Sequence, residues 1–153
     1  MRPWTNDMRA SNVRPLASVV IPNYQGAHCI TDCLQSVLKT SREDVQVIVV
    51  DNASSDKSAE IVRRNFPSVK LIQLDSNVGY GEACNIGARN SSGTYLVFLN
   101  NDTVVQEGWL PGLISPLRDH KVGGVCSKVM LAGTPETIAV SYTHLTLPTK
   151  RIV

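Results

Sequence analysis

Three short apolar runs in this chain break off in the same way. Residues 17–22 read Ala-Ser-Val-Val-Ile-Pro and give way to Asn23, Tyr24, Gln25 and Gly26. Residues 45–50 read Val-Gln-Val-Ile-Val-Val and give way to Asp51, Asn52, Ala53, Ser54, Ser55 and Asp56. Residues 95–99 read Tyr-Leu-Val-Phe-Leu and stop at Asn100, Asn101, Asp102 and Thr103. A near-continuous apolar run of this length suits a strand buried on both faces, the habit of parallel sheets covered by helices. In such sheets ligands sit beyond the carboxyl ends of the strands, so the three polar loops share one edge.

The intervening segments carry a helical period. Ile30, Leu34, Val37 and Leu38 fall at helical spacing within 27–40. Ile61, Val62 and Phe66 follow suit in a helix capped by Ser55 or Asp56 and closed by Pro67. Residues 69–74 form a third strand, weaker and more alternating, hence nearer an edge. The short helix expected over 82–90 uses Ala83, Cys84, Gly87 and Ala88 for close packing on a sheet and stops at Gly93. Residues 107–119 read as a helix with Trp109, Leu110, Leu113, Ile114 and Leu117 on one side. Pro111 suits its first turn, whereas Pro116 predicts a kink or break. Residues 122–129 are a candidate fifth strand. The expected fold class is therefore α/β, a mostly parallel, doubly wound sheet with helices on both faces and right-handed crossovers.

Composition adds limits. A chain of 153 residues, 42% apolar and 18% charged, is a single ordinary globular domain by size. Its 15 basic residues are scattered, which gives no reason to expect nucleic acid. No apolar run approaches the ~20 residues needed to span a bilayer, and residues 1–16 have no apolar signal-peptide centre, so a cytoplasmic location is the expectation. The four cysteines, at 29, 33, 84 and 126, form no zinc pattern and read as reduced thiols. The domain organisation expected is a flexible leader over 1–16, an α/β domain over 17–140, and a tail over 141–153. That tail, Ser-Tyr-Thr-His-Leu-Thr-Leu-Pro-Thr-Lys-Arg-Ile-Val, has no helical period. It reads as a translated sequencing adapter, which would mean that the natural chain continues past Val140 with other residues; the alternative is a short amphipathic strand.

The loops supply the chemistry. Asp102 beside Asn100, Asn101 and Thr103 suits a hard cation, Mg²⁺ or Mn²⁺, and the phosphates it carries; the same residues also suit a plain turn. Asn77, Gly79 and Gly81, after the third strand, would let backbone N–H groups approach a ligand. The aromatic ring of Tyr24, the acid Asp51 and a metal-ready carboxylate together suit a nucleoside diphosphate.

Four segments carry a resemblance: Ser-Val-Val-Ile-Pro-Asn-Tyr-Gln-Gly at 18–26, Val-Ile-Val-Val-Asp-Asn-Ala-Ser-Ser-Asp-Lys-Ser at 47–58, Asn-Val-Gly-Tyr-Gly-Glu-Ala-Cys-Asn-Ile-Gly at 77–87, and Phe-Leu-Asn-Asn-Asp-Thr at 98–103. In consistent order over about 17–127, they resemble the blocks of family 2 glycosyltransferases, most of all the rhamnosyltransferase-like members. The resemblance implies the GT-A fold, with its Rossmann-like nucleotide-binding half, and transfer of a sugar with inversion from a UDP- or dTDP-linked donor. It implies that Asp51 accepts from the pyrimidine N3–H, that Tyr24 packs by the base, and that Asp102 binds the divalent cation. Pro22, Asn23, Asn52, Asn77, Gly79, Asn85, Asn100 and Asn101 would complete the donor site. Asn100 stands where many relatives have Asp, which removes one negative charge. The general base of the family lies downstream of the matched blocks, so none is assigned. The acceptor implied is a saccharide or a lipid-linked glycan, at the inner face of a membrane on which the full-length protein would sit peripherally.

Two alternatives stand beside this reading. A dinucleotide-binding oxidoreductase is suggested by Gly79-Tyr80-Gly81, half of a G-x-G-x-x-G pattern whose third position is Cys84 and which follows the wrong strand. The other is a fragment that binds donor without turning it over.

Overall fold

A computed structural model describes residues 16–41, 44–131 and 134–138. The first apolar run becomes β1 (Ala17–Asn23), buried along its whole length. It leads into α1 (Ile30–Thr40), which starts three residues later than the sequence suggests because residues 27–29 form a turn. β2 (Val45–Asp51), α2 (Ser58–Asn65) and β3 (Lys70–Gln73) follow. Neither Ser55 nor Asp56 is the α2 cap residue; that position is Lys57, without a side-chain cap bond. Asp56 acts from one residue further out, where its carboxylate accepts the Ser58 N–H at 2.9 Å. Next come α3 (Tyr80–Arg89), β4 (Tyr95–Phe98) and α4 (Trp109–Ile114).

The sheet runs β3-β2-β1-β4, parallel throughout. The connections from β1 to β3 step one way across it, and the α3 connection steps back past two strands. Reversing direction at constant handedness moves the crossover to the other face. Accordingly Val20, Ile48 and Val50 pack with Ala83 of α3. Their alternate neighbours Val19, Ile21, Val47 and Val49 pack with Leu34 and Val37 of α1, Val62 of α2, and Leu110 and Leu113 of α4. Both faces of β1 and β2 are covered, which is why their sequences show no polar alternation.

Three expectations need correction. β4 is not buried on both faces: of its four residues only Val97 is buried, because β4 pairs with β1 on one side and forms the sheet edge among the described residues. α3 starts at Tyr80, two residues before the expected 82, and ends at Arg89, with Asn90 and not Gly93 at its C-cap. Gly93 has a different task, since a Cβ there would stand 2.4 Å from the Ser18 backbone nitrogen. Residues 122–129 form no strand; Gly123-Gly124 breaks the apolar run, and pairing begins only where Met130–Leu131 (β5) meets Thr134–Ile138 (β6) antiparallel. The break at Pro116 is present, where a 3₁₀ turn (Ser115–Arg118) takes over from α4. The tail at 141–153 and residues 1–15 of the expected leader lie outside the described residues, whereas Leu16 is tied in through its N–H to Asp44.

Candidate functional site

The register pairs Asn23 with Asp51 at the carboxyl ends of β1 and β2. Both side chains are buried, at 1% and 2% exposure, so every polar atom they carry must find a partner. Asn23 Nδ2 donates to Asp51 Oδ1 and to Ser58 Oγ, each at 2.9 Å. Its Oδ1 accepts from Asn101 Nδ2 at 2.8 Å. Asp51 Oδ2 accepts the Ser54 N–H at 3.2 Å. A single asparagine thus joins the loops after β1, β2 and β4. Gly26 is required beside it: a Cβ there would lie 2.1 Å from Asn23 Oδ1 and 2.4 Å from Asn101 Nδ2.

The loop after β1 is laced to the loop after β2. Gln25 holds a left-handed φ of 54°, as does Ala53 at 61°. Its N–H donates to Ser54 Oγ at 3.0 Å, and its Oε1 accepts the N–H groups of Ser55 and Asp56. Asn52 in turn clamps the loop before α3. Its Nδ2 donates to Asn77 Oδ1 and its Oδ1 accepts the Val78 N–H, both at 2.9 Å.

These loops enclose a cleft of about 470 Å³, lined by Pro22, Asn23, Tyr24, Asn52, Asn77, Gly79, Tyr80, Asn100, Asn101 and Asp102. It lies beyond the carboxyl ends of β1 and β4, where the connections diverge to opposite faces, the place such sheets hold their ligands. Most of the residues singled out from the sequence meet here. Asp51 does not line the cleft; it lies under Asn23 with both oxygens engaged. Asn85 is exposed on α3 and donates to Glu82. Gly79 lines the wall at φ +83°, but its N–H is already given to Asn77 Oδ1. Gly81 is absent from the lining. Tyr80, which sequence reasoning passed over, stands in the wall and donates its hydroxyl to Asn100 Oδ1 at 2.9 Å. An aromatic residue between two glycines in a strand-end loop was the signal available for it.

The triplet therefore points three ways. Asn100 turns to Tyr80, Asn101 turns inward to Asn23, and Asp102 stays exposed with no hydrogen bond to any described residue. Burial pushes the Cys33 thiol up to about 12, aided by the neighbouring Cys29 and by Asp102. Cys29 is raised for the same reasons, burial first and the charge of Asp102 next. The Tyr80 phenol is pushed up to about 12, first by partial burial, then by Cys84 and by Asp102. All three groups stay protonated near neutrality, and Asp102 is the carboxylate on the cleft wall. Among the described residues no three His, Cys, Asp or Glu side chains gather to hold a metal unaided. One free carboxylate fits a cation that brings most of its oxygen ligands with it, as a Mg²⁺ or Mn²⁺ diphosphate does.

Residues 18–151 match the sequence model of glycosyl transferase family 2. The chain belongs to that family.

Among curated members, the glycosyltransferase AglE of Haloferax volcanii is 33% identical over 108 residues, which cover 67% of this chain and 36% of AglE. The glycosyltransferase GlyG of Streptococcus pneumoniae serotype 4 is 26% identical over 107 residues, 68% of this chain and 36% of GlyG. The chain thus spans about a third of these relatives. Among solved structures, the mannosyltransferase PcManGT of Pyrobaculum calidifontis, in complex with GDP-Man and Mn²⁺, superposes with a TM-score of 0.65 at 28% identity. That match covers 73% of this chain and 35% of PcManGT. Residues 1–349 of TarS from S. aureus, in complex with UDP-GlcNAc, superpose with a TM-score of 0.63 at 23% identity, over 77% of this chain and 41% of the other. The sheet is accordingly that of a GT-A glycosyltransferase, and family 2 membership removes the support for a dinucleotide-binding oxidoreductase.

Proposed function

We propose that this family 2 glycosyltransferase chain is the donor-binding half of an enzyme that transfers a sugar, with inversion, from a UDP- or dTDP-linked donor. The acceptor is a saccharide or a lipid-linked glycan at the cytoplasmic face of a membrane, a reading that rests on the family resemblance. The observation that carries the proposal is the uncommitted carboxylate of Asp102 on the wall of the strand-end cleft. The nucleotides named with PcManGT and TarS, GDP-Man and UDP-GlcNAc, support a nucleoside diphosphate as the ligand.

Tyr24, 51% exposed on the cleft wall, offers a ring face for the base. Asp51 lies behind Asn23 and not on the cleft wall, but its Oδ2 takes a single N–H from Ser54 and keeps a lone pair, which the family resemblance assigns to a pyrimidine N3–H. Asp102 would hold Mg²⁺ or Mn²⁺, which when bound offsets the negative charge that grows on the departing diphosphate. The bond from Asn101 to Asn23 anchors the backbone next to that carboxylate. The acceptor hydroxyl must lose its proton on the opposite face, and that general base belongs to a part of the enzyme outside the donor half.

Thermal-shift measurement with UDP, dTDP, GDP and NAD, each with and without Mn²⁺, tests the reading. UDP or dTDP should raise Tm most when Mn²⁺ is present, and Asp102→Ala should remove the Mn²⁺-dependent part. Stabilisation by NAD with none by any nucleoside diphosphate would overturn it.

A further inference from the structure

Three side chains of α1, at 33, 36 and 40, fall at helical spacing and each takes hold of the segment that follows β4. Cys33, buried in the core, donates from Sγ to the Asn100 carbonyl at 3.5 Å. The Thr103 N–H, which closes a turn on that same carbonyl at 3.2 Å, lies against the sulfur as well. Cys33 therefore meets both ends of the turn over 100–103 that carries Asp102. Ser36 Oγ donates to the Cys33 carbonyl at 2.8 Å and accepts the Val105 N–H at 3.1 Å. Thr40 Oγ1 accepts from Trp109 Nε1 at 2.9 Å. Residues 99–108 form no helix or strand, so no ladder of their own holds them. Burial alternates along this stretch: Asn101, Thr103 and Val105 are half-buried, while Asp102 and Val104 are exposed. Val105 also packs on the core to which α1 contributes. The loop is thus gripped on both sides of Asp102 and left open at Asp102 itself.

We propose that Cys33 and Ser36 are positioning residues for the cation: one face of α1 holds the loop after β4 so that Asp102 meets a metal-bound diphosphate already ordered. The proposal rests on the nucleotide-sugar reading of the cleft. Neither residue lines that cleft; both act through the backbone that flanks Asp102. Such ordering matters most where the wall offers a single carboxylate, because the cation must otherwise supply the cost of fixing the loop from its own binding.

Calorimetric titration of the whole chain with UDP and with dTDP, each with and without Mn²⁺, tests it on wild type, Ser36→Ala, Ser36→Thr, Cys33→Ala and Thr40→Val. Ser36→Ala should lower the factor by which Mn²⁺ tightens binding about fivefold, the size of one lost hydrogen bond, and leave metal-free binding unchanged. Cys33→Ala should act in the same direction by less, since sulfur is the weaker partner. Ser36→Thr, which keeps a hydroxyl at that point, should restore the wild-type factor. Thr40→Val removes the partner of Trp109, further along the chain from Asp102, and should lower Tm with the Mn²⁺ factor intact. With neither nucleotide nor metal present, hydrogen exchange over 101–105 should quicken in Ser36→Ala and not in Ser36→Thr. A wild-type Mn²⁺ factor in Ser36→Ala or in Cys33→Ala overturns the assignment of that residue. An equal fall in Thr40→Val, or a matching loss of metal-free binding, would mark general loosening and overturn both. If Cys33→Ala fails to fold, the Ser36 pair decides. A wild-type chain that binds no nucleoside diphosphate, or binds it without regard to Mn²⁺, overturns the donor-site reading itself, and this assignment with it.

Discussion

The carboxylate of Asp56 accepts the N–H groups of Ala27 and Ser58 and the hydroxyl of Ser58, so one side chain ties the loop after β1 to the start of α2. Ser58 passes the link on by accepting from Asn23. Burial pulls the Asp56 pKa upward, but the bonds from Ser58 and Ala27, together with the charge of His28, outweigh it and hold the group below the ordinary aspartate value. A depressed folded pKa means that the folded state prefers the carboxylate. That stability is complete above the unfolded pKa and is lost as pH falls through the folded one. Asp56→Asn should therefore cost about 1.5–3 kcal/mol at pH 7 in urea denaturation, the range for hydrogen bonds to a charged group. The gap between variant and wild type should narrow as the pH is taken below the ordinary aspartate range, and a gap independent of pH would count against the assignment. None of this could be read from the sequence, where Asp56 was one of two candidate caps.

At the scale of elements, α3 shows how a glycine pattern divides into different tasks. A Cβ on Gly87 would sit 2.2 Å from Val20 Cγ1 and 3.2 Å from Val50 Cγ2, so this position sets how closely α3 lies on β1 and β2. A Cβ on Gly81 would meet nothing within 4 Å. Gly87→Ala should cost about 1–3 kcal/mol through overpacking. Gly81→Ala should stabilise by about 0.5 kcal/mol through helix propensity. Thermal denaturation of the two variants checks both signs. The sequence showed the small residues of this helix and their packing role, but not which of them touches the sheet. The run at 122–129 shows the opposite limit. Alternation in that stretch was weak, and a strand needs a neighbour, which the β4 edge does not receive from it among the described residues.

At the scale of the molecule, the reversal in strand order between β1 and β4 creates the crevice that the Asn23 hub and the Tyr80–Asn100 bond then shape. The chain covers about a third of its curated relatives, and on the proposed reading it is a donor half that binds without completing transfer. Incubating the purified chain with UDP-GlcNAc and simple saccharide acceptors should yield bound nucleotide but no new glycoside, and turnover that disappears in Asp102→Ala would refute that expectation. Within the described residues no helix is long and apolar enough to cross a membrane.

The positions of β1 to β4, the helices between them and the edge that carries the polar loops were determined by local pattern, whereas the same kind of pattern misplaced a strand at 122–129. A strand covered on both faces must be apolar throughout, and its end must turn polar where it meets solvent or ligand. That same pattern identified Asp102 and most of the cleft wall. Only the tertiary structure decided which way each polar side chain turns. Asp51 goes beneath Asn23, Asn101 into the hub and Asn100 to Tyr80. Those choices depend on hydrogen bonds between residues 20 to 78 positions apart, which no local spacing encodes.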